Sequence, residues 1–358
     1  MKYISGYIYK DEEFEEGFLG FEDGVIKETG KGKKDDVIAK GIIIPPLANP
    51  HIHIADAVFQ DEIKGSIEEV VAPPLGLKHR ILKETSRETI IKTIKSTADL
   101  MFCSGIGYFG DFREGGVEGV RIVKEALSDS PLNYKLFGRP KEMKYDKKEL
   151  NELLLLADGI GLSAVSDWEE DEIKKISAHT KRAGKKFALH ASERIREDLD
   201  FVLDLKPDFL VHMTEATDED LKICAENEIP IIVCPRSEMF FGHMPDIPRM
   251  LRKNVTLTLG SDNAMINKPH SFFREMEFAY KISKSKGEIK AKDILNMVLK
   301  NSRKVLNVSD DICLSSGKDA NFIVLNLLAK NPAYALVNGA GSRDISVIST
   351  NKYLWIKK

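Results

Sequence analysis

Cysteine, glutamine and tryptophan are scarce in this 358-residue chain, and neither one sign of charge nor any long apolar run dominates it. The four cysteines, Cys103, Cys224, Cys234 and Cys313, contain no Cys-x-x-Cys pair. A zinc knuckle or disulfide framework is therefore unsupported, and buried thiols are expected. Glutamine occurs once, at Gln60, beside abundant Lys and Glu, a bias shared with proteins from hot environments. Lys and Arg number 53 against 56 Asp and Glu, a net charge of −3, so the basic footprint of a nucleic-acid binder is missing. No stretch approaches the roughly 18 apolar residues of a membrane span, and Met1-Lys2-Tyr3 leads into alternating residues instead of a signal-peptide core. These absences lead to the expectation of a cytoplasmic protein with no nucleic acid and no membrane as partner, and they leave homo-oligomerisation open.

What is present is organised in three stretches. Near the start, Tyr3 to Ile8 and Phe21 to Lys27 alternate around an Asp-Gly pair, which is hairpin chemistry. Near the end, Ala320 to Leu325, Ala335 to Gly339 and Asp344 to Trp355 read as strands. Neither end can build a core alone, so residues 1–45 and 312–358 are expected to pair as one small β-sandwich domain. Between them eight short apolar runs alternate with amphipathic helices: Gly41–Pro45, Gly105–Asp111, Leu132–Phe137, Gly159–Val165, Phe187–His190, Phe209–His212, Ile229–Cys234 and Val255–Asp262. Thr85 with Glu88, Asp167 with Glu170 and Thr217 with Asp220 have capping-box spacing, and Ile90, Ile94, Ala98 and Met101 make one helical stripe. The fold class expected is α/β, a (β/α)8 TIM barrel over residues 46–311. The Gly-rich phosphate loop of a doubly wound sheet is missing, and Pro50-His51-Ile52-His53 stands in its place.

Residues i and i+2 of a strand face one side, so His51 and His53 can aim both imidazoles at one point. His-x-His alone is a weak signal. It gains weight because His190, His212 and Asp262 end three further runs, and C-terminal strand ends converge on the active face of a barrel.

With Asn49-Pro50-His51-Ile52-His53, His190-Ala191-Ser192-Glu193, Val211-His212 and Leu259-Gly260-Ser261-Asp262-Asn263 in this order, the chain resembles the amidohydrolase superfamily over nearly its whole length. Gly317 to Val324 looks like that family's return into its small β domain. Members with two bridged metals carry a carboxylated lysine at the end of strand four, and Gly159 to Val165 has no lysine. The His-x-x-Glu step is similar to that of cytosine, guanine and S-adenosylhomocysteine deaminases, in the mononuclear deaminase and chlorohydrolase-like branch. The resemblance implies that His51, His53, His190 and Asp262 hold one divalent metal ion, with zinc ahead of iron. It implies that Glu193, His212 and Asp262 are catalytic.

An ion so held retains a site for water and lowers the pKa of that water toward neutrality. Asp262 can accept a proton, Glu193 can deliver one to a ring nitrogen, and His212 can hydrogen-bond the attacking oxygen. The activity implied is hydrolytic deamination of an aminated purine or pyrimidine base, nucleoside or related heterocycle. The alternatives are hydrolysis of an amide, cyclic amide or halide, or a non-catalytic scaffold.

Three substrate contacts are expected around this centre. Arg113 suits a carboxylate, phosphate or ring carbonyl, or else an ion pair with Asp111 or Glu114. Arg236 and Glu238 lie in Cys234-Pro235-Arg236-Ser237-Glu238, where family members often show Pro-x-Ser-Asn. The long segment Ala57 to Thr85 is expected to cover the pocket and set specificity.

Overall fold

A computed structural model describes residues 1–308, 312–327, 329–350 and 353–357. Its first strands are β1 (Lys2–Lys10), β2 (Glu13–Glu22), β3 (Val25–Lys31) and β4 (Ala39–Ile44). Asp23 and Gly24 both take positive φ, 50° and 73°, as a tight hairpin between β2 and β3 requires. Eight barrel strands follow: β5 (Leu47–His53), β6 (Ile106–Arg113), β7 (Asn133–Gly138), β8 (Gly159–Leu162), β9 (Lys186–Ala191), β10 (Phe209–His212), β11 (Ile231–Val233) and an eighth in two pieces, β12 (Leu257–Leu259) and β13 (Asp262–Asn263). Each pairs in parallel with its sequence neighbour, and β13 pairs back onto β5, so the sheet closes into a barrel. Asn49 fixes this closure. Its amide donates to Ser261 Oγ (2.7 Å) and its carbonyl accepts the Ser261 N–H (3.1 Å).

The chain then returns as β14 (Phe322–Leu325), β15 (Ile345–Ser349) and β16 (Leu354–Ile356). Strands from both ends form one seven-stranded mixed sheet, ordered β16-β15-β14-β4-β1-β2-β3. Ile4, Leu19, Ile26, Phe322 and Val347 build its own apolar cluster, while Ile42, Ile44, Ile323 and Leu325 of the same sheet belong to the main core.

Several local expectations change. Gly41 to Ile44 lies in β4 of the terminal sheet, and the first barrel strand starts after Pro45-Pro46, at Leu47. Pro breaks the ladder there because it offers no N–H. Ala335 to Val337 is helical, within Pro332–Val337, because Asn331 caps the Tyr334 N–H and Pro332 fits the first turn. Residues 351 and 352 of the expected run Asp344 to Trp355 lie outside the described residues. Ser86, not Thr85, caps helix Arg87–Cys103, while Thr85 donates to Ile81 O at the end of helix Leu77–Glu84. Asp167 caps nothing and instead pairs with Arg194 (3.0 Å). Thr217 and Asp220 do form a capping box on helix Asp218–Glu226. Cys224 and Cys234 are buried, but Cys103 is exposed. Among the described residues no helix is long and apolar enough to cross a membrane.

Candidate metal centre

Strand parity alone would not aim the histidines inward. Ala48 of β5 joins the barrel's interior cluster, so strict alternation would turn His51 and His53 toward the helices. The ladder between β5 and β6 shifts register between Asn49 and Ile52, around Pro50, and this bulge reverses the parity. Gly110 of β6 makes room for it, since a Cβ there would stand 2.5 Å from the Pro50 carbonyl oxygen. His51 then packs on the interior ring of Phe112 (centroids 4.4 Å apart), above a layer completed by Phe137 and Phe209. At the ends of β10 and in the broken eighth strand, His212 (φ 75°) and Asp262 (φ 55°) adopt left-handed backbone. Such conformations cost about 1–3 kcal/mol each and cluster at functional sites.

The structure brings His51, His53, His190 and Asp262 together, with one ligand atom from each lying within 4.8 Å of the others. His51 Nε2 is 3.1 Å from Asp262 Oδ1 and 3.2 Å from His190 Nε2, and His53 Nε2 is 3.6 Å from Asp262 Oδ1. The far nitrogens of two rings are engaged elsewhere: His190 Nδ1 meets Leu162 O at 2.7 Å, and His53 Nδ1 meets Glu114 at 2.9 Å. Protons on those Nδ1 atoms leave the Nε2 lone pairs converging on one point. Such outer partners fix the tautomer of a metal-binding imidazole. Burial pushes the His51 pKa down to about 4, against the pull of Asp262, and holds His190 well below its ordinary value. Burial opposes ionisation of Asp262 too, yet the His51 hydrogen bond and the surrounding imidazoles keep its carboxyl well below the usual range. Neutral imidazoles with an ionised carboxylate are the metal-binding forms, so the donor set fits one divalent cation.

Glu193 and His212 stand beside that set. Glu193 follows β9 after Ser192, and its Oε1 lies 3.5 Å from His212 Nε2. Burial raises the Glu193 carboxyl to about 7, with His212 opposing. For His212, burial disfavours the charge, but Glu193, Glu238 and Asp262 outweigh it and raise the pKa to about 9. Ser237 Oγ donates to Asp262 Oδ2. From the segment 57–85, Ile67, Val71, Ala72, Pro73 and Lys78 line the cavity above these groups. Lys78 ties that segment down through buried contacts to Glu114 (2.7 Å) and Asp56 (3.2 Å).

The three expected substrate contacts are placed differently. Arg113 is buried against Glu114 (2.5 Å) and does not line the metal cavity. The arginines that line it are Arg139, directly after β7, and Arg194, directly after Glu193. Arg236 turns to Glu275, its N–H donating to Oε1 at 2.9 Å, and Glu238 is fully buried beneath His212. Arg139 was open to the same argument from strand ends that singled out His190 and His212. Nothing in the sequence separated Glu114 or Lys78 from ordinary surface charges.

A model of the amidohydrolase family matches residues 42–351. An uncharacterised protein of Methanocaldococcus jannaschii is 36% identical over 371 residues, covering 95% of each chain. A 5′-deoxyadenosine deaminase of Methanosarcina acetivorans is 25% identical over 87% of this chain and 80% of its own length. In fold the chain is similar to an atrazine chlorohydrolase from Arthrobacter aurescens solved with zinc, with a TM-score of 0.78 at 16% identity over 100% of this chain and 95% of that one.

Proposed function

The chain belongs to the amidohydrolase family, and from that premise we propose that it is a metal-dependent hydrolytic deaminase of an aminated purine or pyrimidine base, nucleoside or related heterocycle. One observation carries the reading: beside a three-imidazole, one-carboxylate set stands a carboxyl, Glu193, with 13% of its side chain exposed, whose pKa is raised to about 7 within reach of His212. A proton held near neutrality is what a general acid to a ring nitrogen needs. His51, His53, His190 and Asp262 would hold the ion, and zinc is favoured over iron because it binds N/O sites more tightly than ferrous iron does.

A divalent ion bound there supplies Lewis acidity and an activated water. The protein's own groups then divide the proton work. Asp262 accepts the proton released by the attacking water. Glu193 protonates the ring nitrogen next to the amine-bearing carbon, which makes that carbon electrophilic. His212 hydrogen-bonds the incoming oxygen. Asp262 passes its proton to the exocyclic amine, the carbon–nitrogen bond breaks and ammonia leaves, and the added hydroxyl returns its proton to Glu193 as it becomes the carbonyl. The 57–85 segment shields the groups from bulk water.

The test is ammonia release from amino-purines, amino-pyrimidines, their nucleosides including 5′-deoxyadenosine, and amino-triazines, with protein loaded separately with zinc and ferrous iron. Turnover of at least one compound is expected. Glu193→Gln should keep its metal and lose about 10²- to 10⁴-fold in kcat. Silence across the panel at full metal occupancy would overturn the deaminase reading in favour of an amide, cyclic amide or halide leaving group.

A further inference from the structure

Glu238 follows β11 in Cys234-Pro235-Arg236-Ser237-Glu238, and it is fully buried. Its Oε1 accepts from His212 Nδ1 (3.0 Å) and from the Cys234 N–H (3.0 Å), while its Oε2 is buried with no partner. A buried carboxylate with one oxygen unsatisfied is costly unless its charge is matched. Among the described residues, the side chain that hydrogen-bonds Glu238 is His212. On the far side of the same ring, Nε2 lies 3.5 Å from Glu193 Oε1. Glu238, His212 and Glu193 therefore form a line of carboxylate, imidazole and carboxylate that ends in the metal cavity. Asn at this position has an acceptor oxygen but no charge, and it is shorter by one methylene.

Building on the deaminase reading, we propose that Glu238 is a positioning residue that holds the His212 ring by its Nδ1–H and turns Nε2 toward Glu193 and the substrate. The pairing follows the logic of hydrolytic triads, in which a buried carboxylate fixes the tautomer of an imidazole that does its work at the opposite nitrogen. Here the opposite nitrogen, Nε2, faces Glu193 Oε1 at 3.5 Å and is left to hydrogen-bond the incoming oxygen.

The experiment uses the full chain loaded with zinc and labelled with nitrogen-15 at histidine. The wild type should show a downfield Nδ1–H resonance that disappears in His212→Asn. Glu238→Gln and Glu238→Asn, which remove the charge, should shift that resonance upfield, and Glu238→Asp should keep it downfield. In turnover, Glu238→Gln should lower kcat about 10²-fold with KM little changed, and Glu238→Asp should recover part of the loss. Metal content should be unchanged in all three. A resonance and a kcat both unmoved in Glu238→Gln would overturn the proposal. If Glu238→Gln does not fold, Glu238→Asp decides, and loss of the resonance in that variant would also overturn it. If the wild type releases ammonia from no compound, the deaminase reading fails by itself; the resonance then decides the role of Glu238, supporting it if downfield in wild type and displaced in the charge-removing variants, overturning it otherwise.

Discussion

At the scale of single residues, burial sets the chemistry. Glu193, largely covered, and Asp262, buried, are both carboxyls a few ångströms from imidazoles, yet they are driven in opposite directions. Asp262 receives the His51 hydrogen bond and stays ionised, whereas for Glu193 desolvation outweighs its looser contact with His212. Two carboxyls pushed apart in this way supply a base and an acid at one pH. The sign of the pH dependence follows. Glu193 must carry its proton to act as an acid, so kcat/KM should be highest below its pKa of about 7. Above that value log(kcat/KM) should fall by about one unit per pH unit. A pH–rate profile that stays flat from neutral to alkaline would remove Glu193 as the proton donor.

At the scale of elements, ordinary helix chemistry supports the loop that carries Glu193. Thr217 and Asp220 reciprocally cap helix Asp218–Glu226. The Asp220 carboxylate also takes a bidentate contact from Arg196, with both distances 2.8 Å. Arg196 lies three residues beyond Glu193, so this cap anchors the loop that carries the proposed acid. The Arg196 hydrogen bonds, with Thr217 adding to them, hold the Asp220 pKa at about 2 against partial burial. Thr217→Ala should cost about 1 kcal/mol of stability, read by urea unfolding, and should lower kcat more than metal content. A variant equal to wild type in both stability and kcat would show that the cap supports neither the helix nor the loop.

At the scale of the whole molecule, the four residues that would hold one ion come from β5, β9 and β13, which are far apart in sequence, and such an ion would bridge the barrel closure itself. Binding to the folded but not the unfolded chain must then stabilise the fold. Dialysis against a chelator should lower the thermal midpoint. Zinc at about 100 times its Kd should restore about 2.7 kcal/mol, with a midpoint that climbs with free zinc. A midpoint insensitive to both treatments would count against the ligand set.

The sequence by itself determined the period of the elements and the order of the chemistry. Alternating runs ending in His190, His212 and Asp262 mark strand ends whatever surrounds them, because side-chain alternation and helix periodicity are local properties. Only the tertiary structure decided which way those ends face. The bulge at Pro50 that turns His51 and His53 inward depends on Gly110 of a neighbouring strand, and the left-handed turns at His212 and Asp262 depend on the closed sheet around them. The same holds for charge. Arg113, Glu114, Lys78 and Arg139 are four ionisable residues on equal footing in the sequence, and packing makes Arg113 and Glu114 a buried pair while leaving Arg139 on the cavity. The cost of desolvating a charge depends on which partner lies within a few ångströms, and the further partners of Glu114, which are Lys78 and Arg139, come from segments that meet it only in the folded barrel.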